Sequence, residues 1–240
     1  MTADPDLPEV DLSALARSFA DLRSEHRVKS GYLRWFLPGA RVLDVGCGHG
    51  AFLDVAREAG LRVSGIDASP HAVDSCARRG HDVTCDDAVR GLRARATEPL
   101  DGVLCAHLIE HLDGSHASRL IAAAAGALRP RGVLVLVTPN YRSPIVQEEV
   151  FWLDPTHVRP YPRALLERLC VAAGLQVVAS LDDPASRPRR VAWRRWVAKA
   201  RALCGGVDRT LPLDSIVVAV RAGPATPQAG VAPSKTSISS

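Results

Sequence analysis

The chain has 240 residues, 47% of them apolar, with a formal net charge of +4 and a sequence pI near 8.9. That suits one domain with a real core and small additions, and the positive charge is too slight to argue for a nucleic-acid partner. No run of about 18 apolar residues exists to span a membrane, and the acidic, proline-interrupted opening MTADPDLPEVDL does not read as a secretory signal.

Residues 1–10 read as disordered. From Asp11, the apolar positions Leu12, Leu15, Phe19 and Leu22 share one helical face. A second helix is predicted over 28–36, stopping near Pro38 and Gly39. Residues 11–38 thus read as a helical cap. Five short strand-like runs follow: RVLDVG (41–46), RVSGID (62–67), HDVTC (81–85), DGVLCA (101–106) and GVLVLVTP (132–139). Helical stretches separate them. Ser69 before Pro70 reads as a cap with a first-turn proline. Ser115 is expected to cap a helix running to Leu128 and stopped by Pro130, and Pro162 opens another that Gly174 closes. Such alternation predicts βαβ units, a parallel sheet and helices on both faces.

Two further runs, LQVVAS (175–180) and DSIVVAV (214–220), read as strands on either side of an insert, 183–212. A late seventh strand with no helix after it suits insertion at a sheet edge. The tail 223–240, GPATPQAGVAPSKTSISS, is disordered by composition. The expected fold is therefore α/β and Rossmann-like, a seven-stranded, mostly parallel sheet with N-terminal helices, in one domain over 11–222. Cys47, Cys76, Cys85, Cys105, Cys170 and Cys204 form no CxxC pair. They read as free thiols of a cytoplasmic protein, not as disulfides or a zinc site.

The sharpest motif is VLDVGCGHGAFL, residues 42–53, a strand that turns through Gly46, Gly48 and Gly50 into a helix. Glycines let the backbone turn tightly and approach a ligand, and the helix start adds unpaired N–H groups. The spacing is GxGxG, whereas dinucleotide folds carry GxGxxG. Asp44 would repel a pyrophosphate but attract the methionine ammonium of S-adenosylmethionine (SAM). Asp67, ending the next strand, can accept both ribose hydroxyls. The bland alternative is a glycine-rich βα turn with an incidental acid.

With these residues in place, the segment 41–174 resembles class I SAM-dependent methyltransferases, specifically the UbiG-like group. VLDVGCGHG resembles their first motif and SGIDAS their acidic second-strand motif. CDDA (85–88) resembles the end of their third strand, which implies an adenine-amine contact at Asp86 or Asp87 and an adenine amide contact at Ala88. LCAHLIEHL (104–112) resembles the fourth-strand motif and implies a backbone contact near Ala106. LRPRGVLVLVTPN (128–140) resembles the turn and fifth strand, with Arg131 where a glycine is usual. A narrower pattern, Gly31-Tyr32-Leu33, then TPN, then FWLDPTHVRPY (151–161), is similar to methyltransferases associated with bacterial glycans. Some of those methylate a terminal sugar or its phosphate on O-antigen chains. The resemblance implies a SAM cofactor and O-methylation of a sugar, sugar phosphate or other glycan-related acceptor.

Ligands in such folds lie beyond the carboxyl ends of the strands, so a base must come from the loops after strands four and five. His157 is the first choice for a base or acceptor contact, with Asp154 orienting it; both also suit a merely braced loop. His107 either lines the methyl-transfer site or walls the SAM pocket. Glu110 and His111 suit packing and hydrogen bonding within the fold. Arg142, Arg159 and Tyr161 can hold an anionic or polyhydroxylated acceptor, or remain solvated loop residues. No His/Asp/Glu spacing argues for a metal, and catechol-type metal-dependent methyltransferases carry an acid where this chain has His107.

Residues 187–204 form a basic amphipathic pattern. Trp193, Trp196, Val197, Ala200, Leu203 and Cys204 share one face, opposite Arg194, Arg195, Lys199 and Arg201. It suits packing within the fold, a lid over the acceptor, or peripheral contact with an anionic membrane. Rival functions are O- or N-methylation of a specialised metabolite and non-catalytic SAM binding; the GxGxG spacing and Asp44 speak against a nicotinamide oxidoreductase.

Overall fold

The computed structural model describes residues 22–95, 97–187 and 209–223. The strands are β1 Arg41–Val45, β2 Arg62–Asp67, β3 Asp82–Cys85, β4 Leu100–Ala106, β5 Leu128–Pro139, β6 Leu175–Asp182 and β7 Asp214–Arg221. The helices are α1 Leu22–Ser30, α2 Ala51–Glu58, α3 Pro70–Arg78, α4 Ala88–Ala94, α5 Gly114–Ala127 and α6 Arg163–Ala172. A 3₁₀ turn, Gly31–Trp35, follows α1 in place of the predicted helix over 28–36. A π turn, Val146–Val150, runs into the helical turn Phe151–Leu153.

All seven strands form one sheet in the order β3-β2-β1-β4-β5-β7-β6. β1 to β5 pair in parallel, and β7 is antiparallel to both β5 and β6. The late strand is thus inserted one place in from the edge, with β6 outside it.

The central strands are apolar on both faces because helices cover both. Along β1, Leu43 and Val45 enter one core with α5 and α6, while Val42 enters the other with Tyr32, Phe36 and Phe52. The same alternation runs through β4, β5 and β7, as side chains of period two require.

Local chemistry sets several boundaries. Ser69 Oγ accepts from Ala72 N–H at 3.4 Å, with Pro70 at the first helical position, as the sequence predicts. The predicted Ser115 cap is corrected: Asp113 caps α5, its Oδ1 accepting from Ser115 N–H and His116 N–H at 2.8 Å each. A carboxylate at that point also faces the positive end of the helix dipole. Arg131 does occupy the glycine position of its turn, at φ +65°.

Most of the predicted first helix from Asp11, the tail beyond Gly223 and the basic helix within 187–204 lie outside the described residues. No helix among the described residues is long and apolar enough to cross a membrane. Cys47, Cys76, Cys85, Cys105 and Cys170 are free thiols.

Candidate active site

The strand order reverses direction at β1 and β4, and the loops leaving their carboxyl ends part around a crevice. The loop from β1 to α2 carries Gly46, Gly48 and Gly50 at φ +74°, +51° and +76°. Residues with a Cβ rarely hold that region. At Gly50 a Cβ would also lie 2.8 Å from Cys76 Sγ, whereas at Gly48 it would meet nothing within 4 Å. The loop therefore presents bare backbone to open space at Gly48.

Asp67 at the end of β2 ties to this loop. Its Oδ2 accepts from Gly48 N–H at 2.8 Å and its Oδ1 from Ser69 N–H at 2.9 Å. Each carboxylate oxygen keeps a lone pair for a further donor. Asp44 is 2% exposed, and its carboxyl is pushed up to about 6 by burial, with Lys29 opposing and Asp67 reinforcing the rise. A buried acid so raised gains most from a neighbouring cation, which favours its charged form.

Asp86 and Asp87, left open by the sequence, are separated here. Asp87 caps α4, its Oδ1 accepting from Val89 and Arg90 N–H at 3.0 Å each. Asp86 is bonded to the end of β2 through its N–H to Asp67 O at 3.1 Å, and its carboxylate pairs with exposed Arg90. Ala88 opens α4, and Ala106 closes β4, 3% exposed.

Beyond β4 the groups change character. His107 sits at φ +58°, a region His tolerates better than most residues, and its N–H donates to Val137 O at 2.9 Å. The ring lies between two carboxylates, with Nδ1 3.3 Å from Glu110 Oε1 and Nε2 3.8 Å from Asp214 Oδ2. Loss of water around the ring works to lower its pKa, but Asp214 and Glu110 together outweigh that and raise it. Glu110 is fully buried; burial pushes it up, and the neighbouring His107 more than reverses this. Asp214 is raised by burial despite His107. The phenol of Tyr32, 0% exposed, is raised by burial and by Asp214 and Asp183. Tyr32 Oη and Asp183 Oδ2 are buried without a hydrogen bond.

Sequence reading missed Lys29, Asp183 and Asp214. Because β7 is antiparallel, its first residue lies where its neighbours end, and Asp214 stands opposite Pro139. An Asp opening a late, helix-less strand is the one signal that could have found it.

The remaining candidates fall differently. His157 Nδ1 donates to Phe151 O at 2.7 Å, its side chain is 11% exposed and its Nε2 is 3.8 Å from Asp154 Oδ2. Its ring packs on Phe151 and His111, with centroids 4.6 and 4.8 Å away. These contacts favour a brace over a solvent-facing base. Asp154 Oδ1 instead accepts from Thr156, from N–H at 2.9 Å and from Oγ1 at 2.6 Å. Tyr161, expected as an acceptor contact, is 1% exposed and its hydroxyl donates to Leu112 O at 2.8 Å. Arg159 is exposed and stacks over the Tyr161 ring at 5.1 Å. Arg142 is exposed, 3.9 Å from Asp182.

A seven-stranded sheet with one antiparallel strand, a glycine loop after β1 and an acid ending β2 define a Rossmann-like nucleotide fold of the SAM-dependent methyltransferase type. The methyltransferase domain family matches residues 17–180, more than half of the chain, and the chain belongs to it. A SAM-dependent methyltransferase from Archaeoglobus fulgidus superimposes with a TM-score of 0.74 at 22% identity, covering 88% of this chain and 100% of that one. Magnesium protoporphyrin IX methyltransferase from Synechocystis PCC 6803, solved with bound SAM, gives 0.56 at 17% identity, covering 90% and 86%. Among curated proteins, the ubiquinone biosynthesis O-methyltransferase of Xanthomonas campestris pv. campestris (strain B100) is 36% identical over 112 residues, 43% of this chain and 45% of its own length. That of Xylella fastidiosa (strain M23) is 32% identical over 142 residues, 57% and 54%. The chain spans about half the length of these relatives.

Proposed function

We propose that the chain transfers the methyl group of SAM to a hydroxyl oxygen of a polyhydroxylated acceptor, a sugar, sugar phosphate or glycan-related molecule, with His107 as general base. SAM supplies an activated methyl on a sulfonium. Asp44 would hold its ammonium, the backbone at Gly46 and Gly48 would line it, Asp67 would take the ribose hydroxyls, and Asp86 with Ala88 would meet the adenine. The bare backbone at Gly48 and the buried, cation-seeking Asp44 suit that molecule.

The observation that carries the base assignment is the placement of His107. It stands at the carboxyl end of β4, next to Ala106, with its ring gripped by Glu110 on one side and Asp214 on the other. That grip fixes the ring and stabilises the imidazolium formed once it takes the acceptor proton. Tyr32 Oη, buried and unbonded, is a donor available to a ligand, since buried polar groups are rarely left unpaired. Alignment of acceptor, methyl and sulfur is worth about 7–11 kcal/mol in such displacements.

The relatives named as O-methyltransferases favour oxygen as the acceptor atom. The DPTHVRP stretch (154–160) favours glycans, and exposed Arg142 and Arg159 suit a phosphate or hydroxyl-rich ligand. His107→Gln keeps the ring's approximate volume and removes the base. It is expected to lower kcat by about 10²–10⁴ while SAH affinity stays within about twofold. Acceptors are screened with glycans first, then phenols and amines. Turnover of phenols or amines alone would move the reading to a specialised metabolite. SAH binding without any turnover would make the chain a SAM-binding protein.

A further inference from the structure

We propose that Glu110, His111 and His157 form a binding site for one divalent transition-metal ion of the Zn²⁺, Co²⁺ or Mn²⁺ kind. Each of the three offers a ligand atom, and these atoms lie within 4.8 Å of one another. Nitrogen and oxygen ligands lie about 2.0–2.2 Å from a zinc ion, so the three would draw in around one that binds.

The second shell is already arranged. A metal-binding imidazole usually donates its other N–H to a carbonyl or carboxylate chain, which fixes the tautomer and the ring plane. His157 Nδ1 meets Phe151 O at 2.7 Å. His111 Nδ1 meets Thr156 Oγ1 at 2.9 Å and Thr156 O at 3.2 Å, and the Thr156 hydroxyl donates onward to Asp154 Oδ1 at 2.6 Å. With Nδ1 engaged in both rings, the nitrogen each has left is Nε2, carrying a lone pair. His157 Nε2 lies 3.8 Å from Asp154 Oδ2, beyond hydrogen-bond distance.

The third group points the same way independently. Glu110 is 0% exposed, and its Oε2 accepts from Thr138 Oγ1 at 3.1 Å. Its Oε1 is buried without a hydrogen bond, with His107 Nδ1 at 3.3 Å as an ion-pair contact. A fully buried carboxylate oxygen, which Glu110 shares with His107 Nδ1 at 3.3 Å, beside two rings whose Nδ1 atoms are already engaged, makes a mixed oxygen and nitrogen donor set. Two imidazoles and one carboxylate favour a borderline transition metal over Mg²⁺ or Ca²⁺, which prefer all-oxygen shells. Three protein ligands also leave a position open. On the methyl-transfer reading, that position would take an acceptor oxygen beside His107; this part of the inference rests on that reading, and the site itself does not. It also gives the DPTH stretch a purpose: Asp154 holds Thr156, Thr156 holds His111, and His157 is the ligand.

The experiment uses the tag-free full chain, stripped with a chelator and titrated with Zn²⁺ in a calorimeter, with SAH titrated separately into every variant. Visible absorption of the Co²⁺-loaded chain is the second readout. One ion per chain is expected. His157→Ala and His111→Ala should each weaken binding more than tenfold, and Thr156→Val, which removes an outer-shell partner, by roughly tenfold, both judged against the about 10–100-fold typical of outer-shell losses. The Co²⁺ spectrum should change in Thr156→Val, and Cys85→Ser, at an exposed thiol, should leave binding unchanged. Metal binding that survives both histidine replacements would overturn the site. So would its absence in wild-type chain that still binds SAH. Histidine-dependent metal binding in a chain that takes no SAH would keep the site and remove the methyl-transfer reading. Should a histidine variant lose SAH binding, Thr156→Val decides.

Discussion

Asp44 faces two charges, Lys29 from α1 and Asp67 from β2, and its carboxyl is pushed up to about 6, chiefly by burial. The sign follows from the raised value. The folded protein holds a proton here that an unfolded Asp would have released, so this group makes the unliganded fold less stable as pH rises from about 4 to 6. A ligand ammonium needs the charged form, so SAH binding should weaken about tenfold per pH unit below about 6. Calorimetry from pH 5 to 8 should show that slope, and Asp44→Asn should bind weakly at every pH with no slope. A pH-independent affinity in the native chain would place the ammonium elsewhere. Asp44, Asp67 and the glycine loop were legible in the sequence because each sits at the end of a strand, or in the turn after it, where breakers mark the boundary. Asp214 and the Glu110–His111–His157 group were not, because no local pattern ties 157 to 110. The expectation of no metal rested on linear spacing, which says nothing about residues that only the fold brings together.

Arg131 shows what an element boundary demands of its residues. Its φ of +65° is glycine geometry, and at the next position a Cβ on Gly132 would meet Arg129 O at 2.9 Å and Leu100 O at 3.0 Å. The turn keeps its shape with a side chain that strains it. Arg131→Gly should therefore raise stability, by about 1 kcal/mol at most once glycine's entropy cost is counted. Chemical denaturation is the check, and a clear loss of stability would mean that the Arg131 side chain contributes contacts that outweigh the strain. Strand positions were readable throughout because apolar runs bounded by breakers leave few choices. The cap of α5 was misplaced because Asp113 and Ser115 are both good caps two residues apart, and only the carboxylate reaches two N–H groups at once.

At the scale of the molecule, the alternation of strands and helices fixed the architecture, and chirality leaves few ways to wind it. The position of β7 was only half legible, since an edge and the place beside an edge look alike to a single strand. A cofactor that binds only the folded form stabilises it by mass action. SAH at 100 times its Kd should add about 2.7 kcal/mol, or roughly 5–10 °C in Tm for a domain of this size. A thermal melt with and without SAH measures it, and Asp67→Ala should reduce the shift. An NAD-induced shift of the same size would instead point to a dinucleotide.

The antiparallel β7 has a bearing on where the chain leaves and rejoins the sheet. The segment after β6 leaves and returns at one spot: Asp183 N–H donates to Asp214 O at 2.8 Å, and Asp214 N–H to Ser186 Oγ at 2.9 Å. Joined there, β6 and β7 meet at one fixed point, and the entropic cost of a longer connection between them grows only with the logarithm of its length. Since Asp214 also faces His107, this junction lies beside the residue proposed as the base. On the methyl-transfer reading, a change in that connection would bear on the acceptor before it reached the glycine loop after β1.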